Sequence, residues 1–305
     1  MNAGILDTIT NAFVGAIQAG MGALSAYSLP LLGVFALIAF YVTLGPVLAS
    51  GGAMAGDALA ALLLSAVKIG IFYWLLVNLV ALVDALLLTF LQWGVAPAGG
   101  AVSVDTFRNP SRIIDTGFRI AAPIRDFTDS YVQWAAVWKW HTLVAYSLAY
   151  YAIVLGFTFI ALHLMMTIIE FYLAAMVGTV LIPFGVLQPT AFFTEFSIGW
   201  ITGGLIRVLL TAAVVGIALP LFELVIFHKT AGGDPTFYSA MICGIASVIF
   251  AILSWVIPQR AAVIAGRGVS LALSASTLTS GVASGARGLL TLSSVIRGAS
   301  SLVRR

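Results

Sequence analysis

The chain has 305 residues, of which 61% are hydrophobic and 8% charged, with a mean hydropathy of +1.11. A soluble domain carries roughly 25% charged residues, so this chain lacks the charge to cover a water-facing surface, and a separate soluble domain is excluded. The formal charge of +3 is unevenly spread. No Lys or Arg precedes Lys68, whereas six of the fourteen follow Pro258 with no Asp or Glu among them.

Residues 4–24 place Ile5, Ile9, Phe13, Ile17, Met21 and Leu24 at helical spacing, with Asp7, Asn11 and Gln18 between them. One apolar stripe on a polar helix predicts an amphipathic N-terminal helix over 1–27. The first residues lack the positive n-region of a cleaved signal peptide, so none is expected. A first span is predicted over about 28–50, with Pro30 near its start. Asp57 follows a Gly-rich turn as an N-cap, and a helix over about 58–93 is longer than a bilayer is thick, so it must tilt or protrude.

Residues 94–135 mix four Arg with Asp105, Asp115, Asp126 and Asp129, and are punctuated by Pro97, Pro110 and Pro123. They read as a polar loop with a short helix or two. Trp134, Trp138 and Trp140 mark the return to the membrane. The apolar region of about 141–188 is long enough for two crossings, but no Gly or Pro lies between Gly156 and Gly178 to write a turn near Glu170. A further span covers about 198–227, and His228 to Pro235 form a turn. The last span, about 237–257, stops at Pro258. Residues 259–305 form a basic tail rich in Ser, Gly and Ala, either weakly amphipathic or disordered.

The expected fold is therefore all-α: a polytopic transmembrane bundle with five or six crossings, occupying 28–258. Lys and Arg mark cytoplasmic segments, which puts the tail in the cytoplasm. Six crossings place the N-terminus and the 94–135 segment inside as well; five place both outside. Cys243 is the only cysteine, which excludes an intrachain disulfide.

There is no P-loop, no H-E-x-x-H, no cysteine pair and no G-x-S-x-G elbow. His141, His163 and His228 are scattered. No catalytic residue, cofactor or metal is expected, and the chain is read as a non-enzyme. Attention falls instead on Asp84, Glu170 and Arg207, which lie well inside apolar runs. A charge at bilayer depth costs at least ~2.5 kcal/mol on insertion scales, so such residues face a bundle interior, a partner or water. Asp84 pairs with Arg207 if their spans meet, and His163 shares a helix face with Glu170. Lys68, near a span end, can snorkel. Gly199 and Gly203 form a G-x-x-x-G that lets helices approach closely, extended by Gly204, with Trp200 and Arg207 seven apart on one face.

Leu181-Ile182-Pro183-Phe184-Gly185-Val186-Leu187, then Thr190, Phe193-Thr194-Glu195 and the Gly203-Gly204 helix, resemble the core of the TrbL family. So does the ending Trp255-Val256-Ile257-Pro258-Gln259-Arg260-Ala261-Ala262 with Gly266-Arg267-Gly268. The likeness covers about 140–270; the first half agrees in layout. That family includes the sixth VirB protein of type IV secretion systems. The resemblance implies a multi-pass subunit of the bacterial inner membrane, with a periplasmic N-terminus and central loop and a cytoplasmic C-terminus. It implies a part in moving DNA or protein across that membrane and in pilus assembly. The implied partners are the pilin, the minor tip pilin, the assembly ATPase, the periplasmic scaffold, further copies of the chain and, transiently, the transferred DNA or protein. Trp200 and Arg207 would serve substrate passage or subunit contact. The rival reading is a stand-alone secondary transporter or channel with Asp84, Glu170 and Arg207 as its coupling site; no internal repeat supports it.

Overall fold

The computed structural model describes residues 4–49, 55–100, 102–135, 140–230 and 237–272. Among them the chain is helical, without a strand: α1 (Ile5–Ala49), α2 (Ala55–Val77), α3 (Leu79–Val95), α4 (Val104–Arg108), α5 (Ser111–Ala135), α6 (Trp140–Leu181), α7 (Ala191–Thr230) and α8 (Phe237–Ala272). Five of the described stretches are long and apolar enough to cross a membrane: Ile5–Gly45, Leu79–Ala98, Trp140–Val186, Gln188–Phe222 and Phe237–Val263. The polytopic helical bundle expected from composition is thus the architecture found.

The helices are longer than the expected spans. The amphipathic segment and the first span fuse into α1, 45 residues without interruption; Pro30 forfeits one backbone bond but does not end the helix. The 58–93 helix is instead divided at Asn78, which leaves the helical conformation at φ −99°, ψ 9° and donates its side-chain amide back to the Trp74 carbonyl at 2.9 Å. Asp57 lies inside the first turn of α2, not at its N-cap.

The largest difference concerns 94–135, which is not a loop. Asn109-Pro110 ends α4, and a 25-residue helix follows. In α5, Ile113, Ile120, Ala121 and Ile124 are buried, and Gly117 lies where an added Cβ would meet the Phe157 side chain of α6 at 2.5 Å. Arg125 and Asp126 pair on the exposed face. The helix therefore lies along the first half of α6 with its charges outward. Its start is fixed by α1: the Ser111 backbone N–H donates to Asp7 Oδ1 at 2.9 Å.

Similarly, α6 runs unbroken through Glu170 for 42 residues, one helix where the length allowed two crossings. It packs on α5, α7, α8 and α1. Its fully buried face includes Ile153, Phe157, Leu164 and Phe171. α7 extends to Thr230, so His228 is helical, while 231–236 lie outside the described residues. Pro258 does not stop the last helix; it is buried within α8, which continues to Ala272. The remainder of the basic tail and Trp138 lie outside the described residues.

Candidate functional site: an ion pair in an aromatic groove

The turn joining α6 to α7 sets the geometry. Two short 3-10 segments, Ile182–Val186 and Gln188–Thr190, reverse the chain, with Ile182, Pro183, Gly185 and Val186 buried. Helix ends leave carbonyls without intrahelical partners, and buried ones need donors from elsewhere. Here Thr194 donates to the Leu181 and Ile182 carbonyls at 2.7 and 3.2 Å. Thr190 donates to that of Phe184 at 2.8 Å. Lys68 reaches from α2 to the Val186 carbonyl at 3.2 Å, so its ammonium serves the turn. The Phe184 ring meets Phe35 of α1 at a centroid distance of 5.0 Å. Gly185 faces Phe72 of α2, where a Cβ would lie 2.6 Å from the ring. This explains the Pro-Phe-Gly sequence: fixed φ, an aromatic anchor and a position with no room for a side chain.

From this turn α7 descends antiparallel to α6 and brings Arg207 to Glu170. Arg207 Nη1 bonds Glu170 Oε2. The pair is not enclosed: the side chains are 27% and 56% exposed. Arg207 Nε is buried with no hydrogen-bond partner among the described residues, as is His163 Nε2. His163 lies within electrostatic reach of both Glu170 and Arg207.

The pair stands in a groove of about 540 Å³ between α6, α7 and α8, which also involves Glu195, Phe196, Gly199, Trp200, Gly203 and Gly204. Six of the residues singled out in the sequence, Glu170, Gly199, Trp200, Gly203, Gly204 and Arg207, thus line one feature. The two adjacent glycines face different helices. A Cβ on Gly204 would lie 3.4 Å from the Phe171 ring of α6, and one on Gly203 would lie 3.6 Å from the Ala262 carbonyl of α8. Both are ordinary contact distances.

Asp84 does not join this site, and the pairing with Arg207 is not formed. Its carboxylate accepts from Gln18 Nε2 at 2.9 and 3.0 Å and from the Tyr172 hydroxyl at 2.7 Å. This ties α3 to α1 and α6. Tyr172 and Glu170 are two residues apart on α6 and so point to different sides of it; the helix itself separates the two polar clusters. Gln18 and Tyr172 were missed as partners because nothing local marks them. Trp255 packs its ring on Phe159 of α6 at 5.8 Å, and Pro258 lies one turn beyond it in α8.

Sequence reading also missed helix contacts tighter than those of Gly203 and Gly204. A Cβ on Gly156 would lie 3.0 Å from the Ser247 carbonyl of α8, and one on Gly178 would lie 2.9 Å from Ser197 Oγ of α7. Isolated glycines in apolar runs carry no spacing signal, so G-x-x-x-G drew the eye to the looser contact.

These features define a polytopic helical membrane protein whose bundle bears an ion pair on a groove between three of its long helices. The profile of the TrbL/VirB6 plasmid conjugal transfer proteins matches residues 36–257, and the chain belongs to that family. The match takes in Asp84, the 182–186 turn and the α6 and α7 walls of the groove, and ends just before Pro258, short of Ala262 and Val263. A comparison with curated proteins gives no match. Membership makes the chain a component of conjugal transfer or type IV secretion, working with other subunits of that machinery.

Proposed function

We propose that the chain is a channel and assembly-platform subunit of the bacterial inner membrane, supporting passage of DNA or protein substrate and pilus biogenesis. The observation that carries this reading is the groove: an ion pair standing open between α6, α7 and α8, in a chain of this family, offers a docking surface and not an enclosed reaction chamber. The subunit is non-catalytic, and energy comes from the partner ATPase. The pilin, the minor tip pilin and the periplasmic scaffold are its other partners, and several copies work together. The C-terminal tail is cytoplasmic. Glu170, Trp200 and Arg207 carry this role, with Gly199, Gly203 and Gly204 shaping the groove. Separation of Asp84 from Glu170 and Arg207 weighs against a single coupling site of a stand-alone transporter.

Deletion of the gene tests this. Conjugative transfer or effector secretion is expected to be abolished while the partner ATPase remains active in membranes. Transfer that persists without the gene would end the reading, and coupled uptake of a small solute by the purified protein in liposomes would put a transporter in its place.

A further inference from the structure

We infer that the groove binds a zwitterionic aminophospholipid, with the phosphate on Arg207 and the ammonium on Glu170. Two features lead there. The first is charge. Arg207 spends Nη1 on Glu170 while its side chain stays 27% exposed, and it sits opposite a carboxylate that is 56% exposed. An ethanolamine headgroup carries its phosphate and ammonium two carbons apart, so it can add a second cation and anion to this pair and complete a four-charge ring. Charge-assisted bonds of this kind are the strong ones, and a guanidinium matches phosphate in shape. A purely anionic lipid would meet the Glu170 carboxylate with no cation to offset it.

The second feature is the groove's form. From Arg207 it runs along α7 past Gly203 and Gly199 to Glu195, twelve residues or about 18 Å. Glycines leave the floor flat, and Trp200 and Phe196, 44% and 66% exposed, flank it. An acyl chain fits such a channel. The site needs no assumption about transfer.

The test uses the full chain in nanodiscs of mixed phosphatidylethanolamine, phosphatidylglycerol and phosphatidylcholine, followed by native mass spectrometry of the lipids retained. Phosphatidylethanolamine should be enriched on the protein by about tenfold over its share of the disc, the scale of one charge-assisted bond. Arg207→Gln should erase the enrichment. Val263→Trp fills the groove from its exposed α8 wall while leaving both charged residues in place, and should erase it too. A photo-crosslinker at Val263 in cells should capture lipid. Retention in proportion to the disc composition, preference for phosphatidylglycerol, enrichment unchanged by Val263→Trp, or capture of protein alone at Val263 would each overturn the assignment.

Discussion

Gly94 of α3 lies so close to α7 that a Cβ there would stand 2.6 Å from the Leu209 carbonyl oxygen and 2.7 Å from the Ala212 Cβ. The obstacle is backbone and a methyl fixed on it, so no side-chain rotation can relieve the clash. Gly94→Ala is expected to push α3 off α7 and cost about 1–3 kcal/mol, the usual range for overpacking. Thermal unfolding in detergent measures it. Gly203→Ala, where the nearest atom is 3.6 Å away, should leave the midpoint unchanged; equal loss in both variants would show that the close approach of α3 to α7 is not what limits stability.

The carboxylate of Asp84 is the common acceptor of Gln18 and Tyr172. Asp84→Ala strands both donors, which costs about 1–3 kcal/mol for each buried group left unsatisfied. Asp84→Asn keeps an acceptor oxygen, so it should fall between the wild type and alanine. An alanine variant as stable as wild type would remove Asp84 from the forces joining α1, α3 and α6.

Arg207→Ala is expected to insert and accumulate normally but to transfer poorly, because it removes the cation of the groove and spares the packed helix faces. Glu170→Ala should act in the same direction, since it leaves Arg207 without its counter-charge in an apolar surface. Mating assays paired with immunoblots of membranes read both. Normal transfer at normal protein level would show that the pair is merely tolerated.

A reporter active only in the periplasm, fused after Arg305, should stay silent, and one active in the cytoplasm should report. The motive is the six arginines beyond Pro258 with no acid among them, which on the positive-inside rule hold a segment in the cytoplasm. Strong periplasmic activity would invert the orientation of every helix.

What could be read from sequence followed from local physics. Apolar length and scarce charge announced a helical membrane bundle, and the cost of burying Glu170 and Arg207 announced that they needed partners. Which partner each takes is decided by how α6 and α7 rotate against one another after the 182–190 turn, and no local pattern encodes that rotation. Asp84 was accordingly assigned the wrong partner. The α5 helix was legible and was missed: Ile113, Gly117, Ile120, Ala121 and Ile124 recur at helical spacing, but the prolines and mixed charges around them suggested a loop. Helix ends failed for a related reason. Pro30 and Pro258 signal breaks in water, whereas in a bundle the neighbouring helices hold the backbone on course.

The 42 residues of α6 rise about 63 Å, roughly twice the 30 Å hydrocarbon thickness. Standing upright, about half of this rod would lie outside the hydrocarbon, and tilting embeds more of it; α5 is laid along its first half as a splint. Tilting such a rod by about ten degrees swings one end by about 11 Å relative to the other. A subunit gripping the chain at the far end would thus be displaced by several atomic diameters through a change in tilt within the bilayer, with no hinge in α6 and no unfolding.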